Sequence, residues 1–235
     1  SGTEDLPTAQ ALGRVLARDL ISPLDVPPLA NTSMDGYAVR AADVPSAGSV
    51  LPVSQRIAAG QVGAVLQPGT AARIFTGAPL PSGADAVVMQ EQCEAVDGGV
   101  KIQAVPMPGQ WVRQRGEDLR EGAVVLARGR RLTPQALGLA ATAGAASLAV
   151  MRRPRVALMS TGDELVMPGE PLRPGAIYIA NRDTLKGLLT QFGCECTDLG
   201  IVPDRLEATR AALREAARGH DLILSSGGVS VGEED

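Results

Sequence analysis

The chain has 235 residues with Lys+Arg 22 against Asp+Glu 26, a formal net charge of −4 and a pI near 5.2. No global positive field is available to attract nucleic acid or anionic lipid. One Trp, two Tyr and two Phe are too few for the stacking platforms of single-strand nucleic-acid binders. A single histidine, His220, leaves almost no room for a Ser-His-Asp relay or a His-rich metal site, so chemistry is expected to run on carboxylates, hydroxyls, backbone amides and bound ions. Three cysteines, Cys93, Cys194 and Cys196, fit neither a disulfide framework nor a zinc knuckle. The longest apolar stretch, 137–150, falls short of the roughly 18 residues a membrane span requires. No membrane or nucleic-acid partner is expected, and a cytoplasmic location is.

In chain order, Ala9, Leu12, Val15, Leu16 and Leu20 fall at helical spacing behind Thr8, which predicts a short amphipathic helix. Pro23, Pro27 and Pro28 then enforce an extended segment. Short β-rich runs follow at 50–57, 71–76, 86–91 and 92–96, the last turning through Asp97-Gly98-Gly99 into 100–105, a hairpin signal. Thr133 and Pro134 open a helix that Gly144 stops. After Pro154 the grammar changes to strand 155–160, a helix capped by Asn181 and ended by Gly193, strand 194–199, helix 204–218 and strand 221–226. The expected architecture is multidomain α+β and α/β. A helical or extended linker domain takes 1–24 and 123–152, a small β-rich domain 25–122, and a parallel α/β sheet domain 153–235, incomplete at its C-terminus. With no helix after the third strand, the chain is expected to be part of a longer protein. Cys194 and Cys196, two apart, predict a thiol pair on one strand face, and His220 reads as a helix-end residue.

Ligands of open α/β sheets bind outside the carboxyl ends of the strands. Those ends carry Thr161-Gly162-Asp163-Glu164, then Gly200 and Asp204, then Gly227-Gly228-Val229-Ser230-Val231-Gly232 with Asp235. Three acidic clusters beside a Gly- and Ser-rich loop suggest a phosphate cradle next to carboxylates able to hold Mg²⁺. Helix caps and tight turns account for any one of these loops taken singly. No GxxxxGK[ST] loop is present, so generic NTP hydrolysis has no support. In the β-rich part, Ser33–Tyr37, Thr76–Asp85 and Arg115-Gly116-Glu117-Asp118 are turn-forming segments with carboxylate and hydroxyl groups, and composition alone does not choose between turn and ligand loop.

Taken together, NTSMDGYAV (31–39), RIFTGAPLPSGADAVVMQE (73–91), RGED (115–118), STGDEL (160–165), DLGIVPD (198–204) and SSGGVSVGEED (225–235) occur in one order at familiar spacings. The chain resembles the MoeA/gephyrin E-domain family of molybdopterin molybdenumtransferases along nearly its whole length. The resemblance implies insertion of molybdate into adenylated molybdopterin with release of AMP, dependence on Mg²⁺, and a homodimer in which candidate residues from both halves of the chain serve one site. It also makes a molybdopterin adenylyltransferase an expected partner. By motif, Asp35, Thr76 and Asp118 match site residues of the β-rich part, and Glu164, Asp204 and Asp235 those of the sheet domain. The last three are assigned to Mg²⁺ and pyrophosphate positioning. Thr161, Gly162, Gly227, Gly228 and Ser230 would cradle the pterin-side phosphate. One departure is Ile179, where the family places an acidic residue after Ile-Tyr, which predicts a drier pocket. Relatives also continue past the SGGVS loop, with a Lys- and Pro-rich loop and a further β domain. The competing readings are a non-catalytic molybdopterin-binding or scaffolding module and a molybdopterin adenylyltransferase, the latter needing no β-rich domain.

Overall fold

The computed structural model describes residues 2–227. The strands are β1 (Thr3–Pro7), β2 (Leu20–Ile21), β3 (Asn31–Thr32), β4 (Gly36–Val39), β5 (Ser49–Ile57), β6 (Ala71–Ile74), β7 (Ala86–Met89), β8 (Cys93–Val96), β9 (Gly99–Ile102), β10 (Val112–Arg113) and β11 (Val124–Leu126). They are followed by α1 (Pro134–Thr142), β12 (Ser147–Met151), β13 (Arg155–Thr161), β14 (Leu165–Val166), β15 (Ile177–Tyr178), α2 (Ala180–Gln191), β16 (Glu195–Val202), α3 (Leu206–Ala217) and β17 (Leu222–Ser226). Contacts divide the chain into two compact units: residues 1–18, 129–133 and 147–235 in one, and 19–128 with 134–146 in the other.

The second of these is built on a six-stranded mixed sheet ordered β7-β4-β6-β5-β9-β8, parallel only between β5 and β6. Strand periodicity sends alternate residues to opposite faces, and both faces are covered. Val39, Ala71 and Val88 join one apolar cluster while Ala38, Ala72 and Val87 join the other. The predicted hairpin is present: Val96 pairs with Gly99 across Asp97-Gly98, and Gly98 takes φ +67°. The strand 36–39 lies between β7 and β6, and Gly36 lets Val88 approach; a Cβ there would lie 1.9 Å from the Val88 carbonyl oxygen.

In the other unit, β1 pairs antiparallel with β12. The helix expected over 9–20 is not formed. Only a 3-10 turn at Thr8–Gln10 appears, and Gly13 takes φ +75°. The backbone N–H groups of Gly13, Leu16 and Ala17 donate to the carbonyls of Leu132, Arg130 and Ala149. Cross-strand partners thus take the bonds a helix would have made internally, and Leu12 and Val15 remain exposed.

The α/β part meets the expectation of a parallel sheet, with order β16-β13-β17 and both ladders parallel. The middle strand β13 is buried from Val156 to Ser160, as a strand covered on both faces must be. Helix α2 packs on β13 and β16, and α3 on β16 and β17. Two local readings are corrected. Ile179, not Asn181, is the N-cap of α2, without a side-chain cap bond, which frees the Asn181 amide for other use. Cys194 precedes β16 instead of sharing its face with Cys196, and both thiols are half-buried. His220 does sit at a helix end, its Nδ1 2.8 Å from the Ala216 carbonyl oxygen.

Candidate functional site

Strand order 2-1-3 reverses the chain's direction of travel between the first and third strands, so a crevice opens beyond their carboxyl ends. Here those strands are β13 and β17, and a cavity of about 310 Å³ lies at that point. Thr161 and Glu164 line it from the β13 side, Ser226 and Gly227 from β17, and Asn181 from the start of α2. The Asn181 amide approaches Ser226 Oγ at 3.4 Å, which ties the helix start to the end of β17. Among the described residues, Thr161 Oγ1 is buried without a hydrogen-bond partner. A buried hydroxyl without a partner costs free energy that a ligand can restore.

Gly227 lines the crevice, whereas Gly162 lines neither this cavity nor its neighbour and stands against the Glu164 side chain. Gly227, at φ +104°, would place a Cβ 2.5 Å from both the carbonyl oxygen and Oγ1 of Thr161. Gly162, at φ +146°, would place one 2.6 Å from the Glu164 carboxylate. Backbone therefore lies bare beside the cavity, the arrangement in which main-chain N–H groups cradle anions.

Glu164 also lines a neighbouring cavity of about 470 Å³ with Asp163, Arg173 and Arg205. Arg173 donates to the Asp163 carbonyl, and Asp163 Oδ1 accepts from the Asp204 N–H at 3.3 Å. Of the predicted carboxylates, Glu164 thus reaches both cavities. Asp204 contacts this rim through its backbone, and its neighbours Asp163 and Arg205 do the lining. Gly228, Ser230 and Asp235 lie outside the described residues. Ile179 is 3 % exposed and adds an apolar wall to the smaller cavity.

No three His, Cys, Asp or Glu side chains cluster to hold a metal ion among the described residues. Mg²⁺, however, is commonly held by one or two carboxylates together with substrate phosphates. Glu164, which lines both cavities, is a single carboxylate that could join substrate phosphates in that way.

The β-rich unit carries a separate cluster. Asp35 Oδ1 accepts from both the N–H and the Oγ1 hydroxyl of Thr76 at 2.7 Å. These two bonds, with Arg73 adding to them, hold the Asp35 carboxyl below the usual carboxylate range. Arg73 is fixed by the Gly36 carbonyl at 2.8 Å and Gln90 Oε1 at 2.6 Å, and it lies over the rings of Tyr37 and Phe75. Asp118 pairs with Arg113 at 2.5 Å, in a loop where Gly116 takes φ +69°. Asp35 and Thr76 are therefore brought together, whereas Asp118 belongs to an ion pair of its own. Sequence reasoning missed Arg73, Asn181 and Ser226 as site-forming residues. Arg73 and Ser226 stood inside quoted motifs without a role, and Asn181 was taken up by its capping assignment.

A parallel sheet with its cavity at the strand-order reversal, bare glycine backbone and a carboxylate-arginine rim has the features that suit a phosphorylated or otherwise anionic ligand. Residues 1–144 match the MoeA N-terminal region (domain I and II), and residues 157–235 match a probable molybdopterin binding domain. The chain belongs to the MoeA family. It is 43 % identical over 234 residues to a molybdopterin molybdenumtransferase of Haemophilus influenzae, covering 99 % of this chain and 58 % of that protein. It is 44 % identical over 235 residues to molybdopterin molybdenumtransferase 2 of Mycobacterium tuberculosis, covering 97 % and 57 %. A crystal structure of the molybdopterin biosynthesis MoeA protein from Pyrococcus horikoshii OT3 superposes with TM-score 0.90 at 33 % identity, covering 97 % of this chain and 62 % of that one. The chain thus spans a little over half the length of the curated relatives it matches.

Proposed function

We propose that this chain acts in molybdenum cofactor biosynthesis, in the insertion of molybdate into adenylated molybdopterin with release of AMP. The cavity at the β13/β17 reversal, with the unpartnered Thr161 hydroxyl aimed at bare glycine backbone, carries this reading. In it, Thr161, Gly162, Gly227 and the Asn181 amide hold the phosphorylated substrate. Arg173 and Arg205 offer cationic charge where an oxyanion such as molybdate approaches. Glu164, helped by Asp163, would hold Mg²⁺, which would supply charge neutralisation at the pyrophosphate. Asp35 and Thr76, locked to each other and braced by Arg73, present a fixed anionic corner, which orients substrate groups when two copies of the chain meet as a homodimer. The adenylated substrate implies an adenylyltransferase as partner, in the cytoplasm. No helix among the described residues is long and apolar enough to cross a membrane.

Binding of adenylated molybdopterin, followed by calorimetry, tests the assignment of the crevice. Thr161→Val and Asn181→Ala each weaken it about tenfold, roughly the 1.4 kcal/mol of one hydrogen bond to a charged group. Unchanged affinity in both variants would move the substrate away from this cavity.

A further inference from the structure

A larger cavity, about 600 Å³, lies in the first unit away from the β13/β17 crevice, between the 12–15 segment, the 151–154 turn and the C-terminus of α2. That volume is in the range of small-molecule sites, about 300–1,000 Å³. Three exposed large apolar side chains converge on it: Leu12 at 55 %, Val15 at 36 % and Phe192 at 66 % exposure. Apolar side chains left in water together around one concavity mark a ligand or partner site.

The charge around it is one-sided. Arg14, Arg131, Arg152 and Arg153 line the cavity against a single lining carboxylate, Asp221. Two of the arginines are already committed. Arg152 makes a two-point pair with Asp221 at 2.6 and 2.5 Å, and Arg14 pairs with Glu4 and donates to the Met151 carbonyl at 2.7 Å. Arg131 donates one N–H to the Gln191 carbonyl at 3.2 Å and meets no carboxylate among the described residues. Arg153 makes no side-chain hydrogen bond or ion pair among the described residues. Two guanidinium groups therefore remain available for a planar anion beside an apolar floor with one aromatic ring.

We propose that this cavity is a second ligand site, taking a small amphipathic anion: a flat aromatic body on Leu12, Val15 and Phe192, with a carboxylate, sulfonate or phosphate on Arg131 and Arg153. The site needs no substrate in the β13/β17 crevice and stands independently of the molybdenumtransferase reading. Its fixed frame comes from the arginines that are not free. The Arg152–Asp221 and Arg14–Glu4 pairs hold the turn and the 12–15 segment in place while Arg131 pins the end of α2.

The test uses 8-anilinonaphthalene-1-sulfonate as probe and uncharged N-phenyl-1-naphthylamine as its control, titrated by fluorescence. Amide shifts of Gly13 and Gly193 locate the bound probe. The anionic probe is expected to saturate at one site per chain and to shift both amides. The pair Arg131→Gln/Arg153→Gln weakens it at least tenfold while leaving the neutral analogue unchanged, Phe192→Ala weakens both, and Arg130→Gln, just outside the cavity, weakens neither. Non-saturating binding, equal affinity in the double variant, or shifts confined to other residues would overturn the proposal. So would a chain that sediments as a dimer and excludes the probe, since a second copy would then fill the cavity.

Discussion

Gly36→Ala puts a methyl group where the sheet of the β-rich unit leaves no room. The added Cβ would stand 1.9 Å from the Val88 carbonyl oxygen, 2.8 Å from its carbon and 3.1 Å from the Met89 Cα, all backbone. Restoring ordinary contact near 3.4 Å requires β4 and β7 to part by about 1.5 Å, close to a third of the roughly 4.8 Å strand spacing. The Gly36–Met89 and Tyr37–Val88 pairs would loosen. Overpacking costs about 1–3 kcal/mol and each weakened ladder bond about 0.5–1.5. The stiffer unfolded chain returns about 0.4–1, leaving, with two ladder bonds weakened, a net loss of about 1–5 kcal/mol. Trp111, the only tryptophan, lies in this unit and in none of the other, so its fluorescence during urea unfolding reads the unit by itself. Gly98→Ala is the control. Its Cβ meets open space and carries only the strain of φ +67°, about 1–2 kcal/mol. A Gly36→Ala midpoint within about 0.5 kcal/mol of the parent, or a loss no larger than that of Gly98→Ala, would refute the close-approach argument.

The remaining predictions concern the titrating groups and the crevice. Asp35 has its folded pKa lowered by the Thr76 N–H and hydroxyl. The stabilisation is therefore present above its unfolded value and lost as pH falls through the folded one; a carboxyl ¹³C titration should give a midpoint below 3.8 that moves upward in Thr76→Val. Burial pushes the Cys93 thiol up to about 11 against the smaller opposing pull of Arg73. At pH 8 about one molecule in a thousand carries the thiolate, and peptide mapping after iodoacetamide should show Cys93 modified at least tenfold more slowly than free cysteine. Gly227→Ala forces strain of about 1–3 kcal/mol into the crevice wall. It should keep the far-ultraviolet dichroism while weakening adenylated molybdopterin binding tenfold or more, and an unchanged affinity would contradict the cradle.

Local chemistry made parts of this fold legible in the sequence and tertiary contacts concealed others. The strand expected at 155–160 is present as β13, and its apolar run 156–159 is buried because nothing polar interrupts it between Arg155 and Ser160. Gly193 at φ +81° and Gly144 at φ +76° end their helices as expected. The segment 9–20 has helical spacing, yet its N–H groups bond to 130–132 and 149, partners more than a hundred residues away that no local pattern can reveal. At the site, Thr161, Gly162, Glu164 and Gly227 were legible because strand ends and glycines locate the rim. Asn181 was not, since a local capping rule explained it and only the return of β17 supplies its contact with Ser226. The parallel pairing of β5 with β6 was hidden for the same reason, set by sheet order instead of by either strand.

The central claim is turnover at the β13/β17 crevice. The most direct measurement is AMP release from adenylated molybdopterin by the protein at its full native length, with and without molybdate and Mg²⁺, beside Glu164→Ala. The account predicts release that requires molybdate and Mg²⁺ and falls at least a hundredfold in the variant, about 2.7 kcal/mol of lost transition-state stabilisation. Tight binding without AMP release would contradict it in favour of a binding module, and release indifferent to Glu164 would place the chemistry elsewhere.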